Sequence, residues 1–207
     1  MEQSINFAQA RFMLSSLERK DWVADEGTEV AFVGRSNVGK SSAINAICNQ
    51  KSLARIIKTP GRTQLLVFFE LLEQVRLVDL PGYGFAKTPI AVRNRWQEKI
   101  IEYLSRRESL QGLVIPMDIR RPFTDLDQQM MAWADDLQLP VHILLTKADK
   151  LSRGKAQSVL FDVQRKWLGA YDASVQLFSA PRRIGIDEAR EKLTSWLLPE
   201  EFEDSSS

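Results

Sequence analysis

Residues 28–49 limit the possible folds more than any other stretch. A β-type run, "TEVAFVG" (28–34), passes straight into "GRSNVGKS" (Gly34 to Ser41) and then into a helix-type run, "GKSSAINAICN" (39–49). The spacing G-x-x-x-x-G-K-S demands a tight turn at the carboxyl end of a buried strand, closed by a helix N-terminus. Downstream, strand and helix patterns keep alternating. "QLLVFFELL" and "EQVRLVDL" read as two strands meeting at a tight turn. "GLVIPMD", "PVHILLT" and "SVQLFSA" read as further strands, with Pro116 weakening the first or marking a bulge. Amphipathic helices are predicted over 89–106 (Val92, Trp96, Ile100, Leu104), 123–138 (Leu126, Met130, Trp133, Leu137), 152–168 (Val159, Val163, Trp167) and 185–198 (Ile186, Ala189, Leu193, Trp196). Such alternation builds an α/β domain with a mostly parallel sheet between helices on both faces. Six strands are expected, with the hairpin adding one antiparallel strand at an edge. Ligands bind such sheets at the carboxyl ends of the strands.

With 207 residues, 44% of them apolar, the chain can bury one sizeable core. The expected division is an N-terminal extension (1–27) packed on the domain through Phe7, Phe12 and Leu14, the main α/β domain (28–199) and a disordered acidic tail (200–207). Twenty-eight Lys and Arg against 27 Asp and Glu leave the global charge silent about partners. The lone cysteine, Cys48, excludes a disulfide framework and reads as a small core residue in a reducing compartment. No apolar run approaches the ~18 residues of a membrane span, and the N-terminus lacks an apolar signal core. A soluble, cytoplasmic, monomeric protein is expected.

The loop Gly34, Arg35, Ser36, Asn37, Val38, Gly39, Lys40 and Ser41 turns successive N–H groups towards one anion. Lys40 is placed to reach the β- and γ-phosphates, and Ser41 to put a hydroxyl on Mg²⁺. The base is read from "LLTKAD" (144–149). Guanine offers N1–H and a 2-amino group as paired donors, which the carboxylate of Asp149 can accept together; adenine has no such pair. Lys147 can lay its stem along the base, and Thr146 keeps a hydroxyl where an Asn is more usual. Alone "TKAD" would be an ordinary solvated loop, but its place at a strand exit after a phosphate loop favours GTP. Ala148 completes the motif, and Phe178, Ser179 and Ala180 leave the last strand beside it.

Two further segments complete the pattern. In "KTPGRTQ" (58–64), Thr63 or Thr59 could close on Mg²⁺ and the γ-phosphate, and spacing does not choose between them. In "VDLPGYGF" (78–85), Asp79 leaves its strand towards the metal, through a water, and Gly82 offers an N–H to the γ-phosphate. Tyr83 stands where Ras-like enzymes carry the glutamine that orients the attacking water, and it has no carboxamide. Arg120 and Arg121 could serve as arginine fingers but read better as surface ion pairs or partner contacts.

"GRSNVGKSS", "TPGRTQ", "DLPGYGFA", "TKAD" and "FSA" stand in the order and spacing of the EngB family of bacterial GTPases, which the chain resembles from about 30 to 196. The resemblance implies a Ras-like domain that binds GTP and GDP, with Gly61, Arg62, Thr63, Gln64 and Leu65 at the nucleotide and Leu80 and Pro81 beside Asp79. It favours Thr63, with Ser41, as the Mg²⁺ ligand. It implies work in assembly of the large ribosomal subunit and a need in cell division and septation. The family lacks the glutamine at the Tyr83 position, and in related potassium-dependent GTPases the Asn matching Asn37 helps hold K⁺.

Charge is uneven near these segments. Residues 49–69 carry Lys51, Arg55, Lys58 and Arg62 and no acid; residues 84–107 carry Lys87, Arg93, Arg95, Lys99, Arg106 and Arg107 against Glu98 and Glu102. Part of this neutralises a triphosphate, and the remainder suits ribosomal RNA phosphates. His142, mid-strand, reads as structural. Two readings from other classes compete: a GTP-gated binding module at the division machinery with incidental hydrolysis, and a small-molecule kinase, disfavoured by "TKAD".

Overall fold

The computed structural model describes residues 4–55, 65–82, 90–167 and 169–199, with the backbone alone for 55 and 90–96. Its strands are β1 (Arg11–Ser16), β2 (Thr28–Phe32), β3 (Leu66–Leu72), β4 (Val75–Asp79), β5 (Leu110–Asp118), β6 (Val141–Thr146) and β7 (Ala173–Leu177). The α-helices are α1 (Lys40–Ile47), α2 (Ile90–Arg106), α3 (Asp125–Asp136), α4 (Arg153–Trp167) and α5 (Ile186–Leu197). The strands form one sheet in the order β1-β3-β4-β2-β5-β6-β7. All described neighbours from β4 to β7 pair in parallel, whereas β3 pairs antiparallel with both β4 and β1. The mostly parallel sheet with an antiparallel edge is therefore present, with seven strands rather than the expected six. The seventh is β1, which covers β3 and forms one edge of the sheet.

Two apolar layers follow from strand alternation. On one face, Leu66, Phe68, Val78, Leu113 and Ile143 meet α2, α3 and α4 through Ile100, Tyr103, Met130, Met131, Val163 and Trp167. On the other, Val30, Phe32, Phe69, Leu77 and Leu144 meet α1 and α5 through Ile44, Ile47, Ala189 and Leu193. Phe7 is buried on this second face, while Phe12 stands 42% exposed on β1, contrary to the expected packing. Cys48 is fully buried there, and burial pushes its thiol up to about 12, so it is chemically inert. No described helix is long and apolar enough to cross a membrane.

Pro116 makes no bulge in the β5–β6 ladder, which runs unbroken from Leu113 to Asp118. The reason lies in strand parity. Leu113 and Ile119 donate to β6-side carbonyls, and Val114 accepts on the β2 side from Val33. The ring nitrogen of Pro116 therefore faces the β2 side, just beyond the last β2 bond, where the chain has turned into the phosphate loop. No ladder bond is lost, and the loop gains a close wall: a Cβ on Gly34 would lie 3.3 Å from the Pro116 carbonyl oxygen.

His142 is 3% exposed, with Nδ1 2.8 Å from Ser174 Oγ and Nε2 2.8 Å from Gln176 Oε1, both on β7. Burial pulls its pKa down to about 4. Because the folded value lies below the ordinary 6.5, the unfolded chain binds more protons between these values. The contribution is thus complete above about pH 6.5 and is lost as pH falls towards 4. Between pH 7.5 and 5 the native protein should lose about 2 kcal/mol that a His142→Gln variant does not. Urea unfolding at both pH values measures this; equal losses in the two proteins would contradict it.

Candidate functional site: the carboxyl ends of the central strands

β2, β4, β5, β6 and β7 all release their chains at one end of the sheet, and the motif residues gather there. The turn after β2 owes its curl to Asn37 and Gly39, which take positive φ (63° and 103°), rather than to both glycines. Gly34 is small for a packing reason, since an added Cβ would also crowd the Val38 side chain at 3.3 Å. Gly39 is the N-cap of α1, and the Gly39 carbonyl accepts from Ala43 at 2.8 Å. At the exit of β4, Gly82 lies against the same turn: a Cβ there would sit 3.5 Å from the Gly34 oxygen and 3.7 Å from Ser36 Oγ.

Lys40 and Asp79 converge. The Lys40 ammonium is 5% exposed, donates to Asp79 Oδ1, and donates to the Leu80 carbonyl at 2.7 Å. Asp79 is 1% exposed and pairs in register with Phe32, next to the start of the turn. A cation and a carboxylate are thus brought together in a buried site beside the turn and the start of α1. Ser41 is half-buried on the first turn of α1.

Arg35 has a different position from that expected of a nucleotide-binding side chain. Its Nε donates to Asp127 at 3.1 Å and its Nη2 to the Arg121 carbonyl at 3.3 Å. Asp127 is fully buried and forms the capping box of α3 with Thr124. Arg35 therefore anchors the turn to α3. Val38 contributes its carbonyl, which accepts from the Thr146 hydroxyl; Met117 presents a second carbonyl 3.0 Å from that hydroxyl. Thr146 thus links the phosphate turn to the exit of β6.

Lys147 adopts positive φ (59°) and reaches back across the turn, donating to the Asn37 carbonyl at 2.7 Å and to Asp118 Oδ2 at 2.9 Å. Arg120 grips the same carboxylate through Nε (2.9 Å) and Nη2 (2.6 Å), so Arg120 is a surface ion pair, as read from sequence. Arg120 first, with Lys147, holds the Asp118 carboxyl well below the usual range. Two residues on, Asp149 accepts from Ser179 Oγ at 2.5 Å, which lowers its pKa, and Lys150 stands 3.4 Å away. The Ala148 N–H donates to the Phe178 carbonyl at 3.1 Å; Phe178 is core, and Ala180 is half-buried next to Ser179. Asp118, Asp127 and the hydroxyl role of Ser179 were missed in sequence; an aspartate at a strand exit, as in "PMD", was the available signal for the first.

Leu65 and Pro81 are described, whereas Thr59, Gly61, Arg62, Thr63, Gln64 and Tyr83 lie outside the described residues. The basic face is weaker than its count implies. Lys99 is paired with Glu102 (2.9 Å) and Glu18 (3.1 Å), and Arg107 is buried. Lys51 and Arg106 are exposed; Lys58, Lys87 and the side chains of Arg55, Arg93 and Arg95 lie outside the described residues.

The family model described as "50S ribosome-binding GTPase" matches residues 29–147. A probable GTP-binding protein EngB from Pectobacterium carotovorum is 51% identical over 197 residues, covering 95% of this chain and 93% of the relative. The chain belongs to the EngB family of GTP-binding proteins. A second EngB, from Photorhabdus laumondii, is 53% identical over 192 residues, covering 92% and 91%. The crystal structure of a probable EngB superposes with a TM-score of 0.66 at 22% identity, covering 82% of this chain and 98% of that one. Era from Aquifex aeolicus, solved with GDP and aluminium fluoride, gives 0.64 at 20% identity, covering 84% and 57%. These structures share the Ras-like GTPase fold with this chain, and GTP hydrolysis is the activity of its family domain.

Proposed function

We propose that the chain is a Mg²⁺-dependent GTP switch in assembly of the large ribosomal subunit, docking on the immature particle with GTP and leaving with GDP. The observation that carries the nucleotide part is the spacing of two charged ends along one sheet edge. Lys40 and Asp79 meet at the phosphate turn, and Asp149 is held by Ser179 at the exits of β6 and β7. In this reading the backbone from Gly34 to Ser41 cradles the phosphates, and Lys40 exchanges the Leu80 carbonyl for phosphate oxygens. Gly82 donates to the γ-phosphate, and Asp149 accepts from guanine. Gly61, Arg62, Thr63, Gln64 and Leu65 would complete the nucleotide-binding set, with Thr63 sensing the γ-phosphate.

Hydroxyl and carboxylate oxygens suit a hard cation, and the buried Asp79 carboxylate beside the turn fits one. Ser41 and Thr63 would hold Mg²⁺, with Asp79 acting through a water. Bound there, Mg²⁺ neutralises charge that develops on the transferring phosphoryl group. With no glutamine at Tyr83, a K⁺ ion held near Asn37 would supply the further positive charge.

Lys51 and Arg106 are exposed cations for RNA phosphates, so docking should weaken steeply with salt. The family model's description supports a large-subunit partner. A need in cell division and septation would follow from a failure of ribosome supply. The test is sedimentation with isolated subunits, in GDP or a non-hydrolysable GTP analogue, at two salt concentrations and in K⁺ or Na⁺. Co-migration with the large subunit only in the analogue, lost with salt, is expected, together with faster GTP turnover in K⁺. No co-migration in either state overturns the ribosomal role, and equal turnover in K⁺ and Na⁺ removes the K⁺ ion.

A further inference from the structure

We propose that Asp118 is a positioning residue for nucleotide affinity, acting through Lys147; the inference rests on reading residues 146–149 as the guanine site. Asp118 ends β5 and Thr146 ends β6, and the two are partners in the ladder. The next residue, Lys147, turns through positive φ, so its side chain runs back over both strand ends towards the phosphate turn. There the ammonium has two oxygens, the Asn37 carbonyl at 2.7 Å and Asp118 Oδ2 at 2.9 Å. Asp118 is itself fixed by three donors: Arg120 Nε (2.9 Å), Nη2 (2.6 Å) and backbone N–H (3.1 Å).

The resulting relay, Arg120–Asp118–Lys147–Asn37, joins three separate loops. A lysine loses rotamer freedom when it is pinned, so its anchor must be strong. The bond to the Asn37 carbonyl carries charge on the donor alone, whereas the Asp118 carboxylate adds the opposite charge and a second anchor point. Lys147 is also the first residue of the turn that carries Asp149. Asp118 therefore sets where the lysine stem lies and, through the Asn37 carbonyl, holds the phosphate turn to the base loop. Neither effect requires Asp118 to touch the nucleotide.

A double-mutant cycle tests this. Asp118→Asn keeps the shape and removes the charge. It is expected to speed release of a fluorescent GDP analogue about tenfold, the scale of one hydrogen bond to a charged group. The KM for GTP should rise by a similar factor, with the loss falling on KM rather than kcat. Asp118→Glu should retain more affinity than Asp118→Asn. Adding Asp118→Asn to Lys147→Ala should then cost nothing further, because the route through Lys147 is already gone.

If Asp118 merely stabilised its own loop through the Arg120 N–H, the two substitutions would add in full, and that result overturns the proposal. So does Asp118→Asn with wild-type release and KM. Unfolding midpoints of the nucleotide-free variants guard against a folding defect. A separate arm, Asp149→Asn assayed with GTP and XTP, examines the base site itself. Failure to shift preference towards XTP overturns the guanine-site reading and the role of Asp118 with it. A successful shift with additive Asp118 effects overturns Asp118 alone.

Discussion

Lys40→Ala is expected to slow GTP hydrolysis about a hundredfold or more, the scale on which a preorganised electrostatic contact to a transition state is lost. The ammonium sits at 5% exposure between Asp79 and the Leu80 carbonyl, where the β4 exit meets the phosphate turn. Its charge is felt strongly there because little water intervenes. Lys40→Arg should restore little, because a planar fork does not fit a site shaped for a compact ammonium. Single-turnover hydrolysis at saturating GTP is the measurement, with circular dichroism to verify the fold. A loss below about tenfold would mean that Lys40 serves Asp79 rather than phosphate.

The second large effect is on stability, at the opposite end of the sheet. Glu29, the second residue of β2, has no exposure at all, and its carboxylate accepts from Arg76 Nε (2.6 Å), Arg107 Nη2 (2.6 Å) and Nε (2.9 Å), and Tyr103 Oη (2.7 Å). Both guanidinium groups are themselves buried, and Arg107 also donates to the Val23 and Ala24 carbonyls. Glu29→Ala leaves two buried cations without their shared anion, a change that costs about 3–5 kcal/mol. For a chain of this size that corresponds to a fall in Tm of roughly 10 °C. Thermal melts of the variant test it, and a shift of under about 2 °C would show the cluster to be dispensable. Tyr103 and Arg107 sit at the end of α2, so the cluster also fixes that helix to the sheet far from the nucleotide.

What sequence revealed was whatever a short run could carry. The phosphate turn, Asp79 and the "TKAD" exit are contiguous motifs between recognisable strands, and each lies at the expected sheet edge. Periodicity located α3, α4 and α5 to within two residues, and the Thr124–Asp127 cap explains why α3 starts at 125 rather than 123. The strand β1 escaped detection because "RFMLSS" has no steady alternation. Its first three residues are exposed, and its register slips between Phe12 and Leu14. Partners far apart in the chain escaped too. Arg35 and Asp127 are 92 residues apart, and Glu29 and Arg107 are 78 apart, so no local pattern announces either. In sequence Arg107 reads as part of a basic face for this reason, whereas its charge belongs to Glu29.

The placement of β1 also fixes an order of events in time. Its sheet partner is β3 alone, and Arg11 lies opposite Glu70. A growing chain that has just produced β1 must therefore extend by more than fifty residues before that strand finds its hydrogen bonds. At about 5–20 residues per second, synthesis imposes a delay of roughly three to ten seconds. Phe7 and Leu17, which flank β1, are both buried in the finished fold. β3 must therefore be made before β1 can join the sheet.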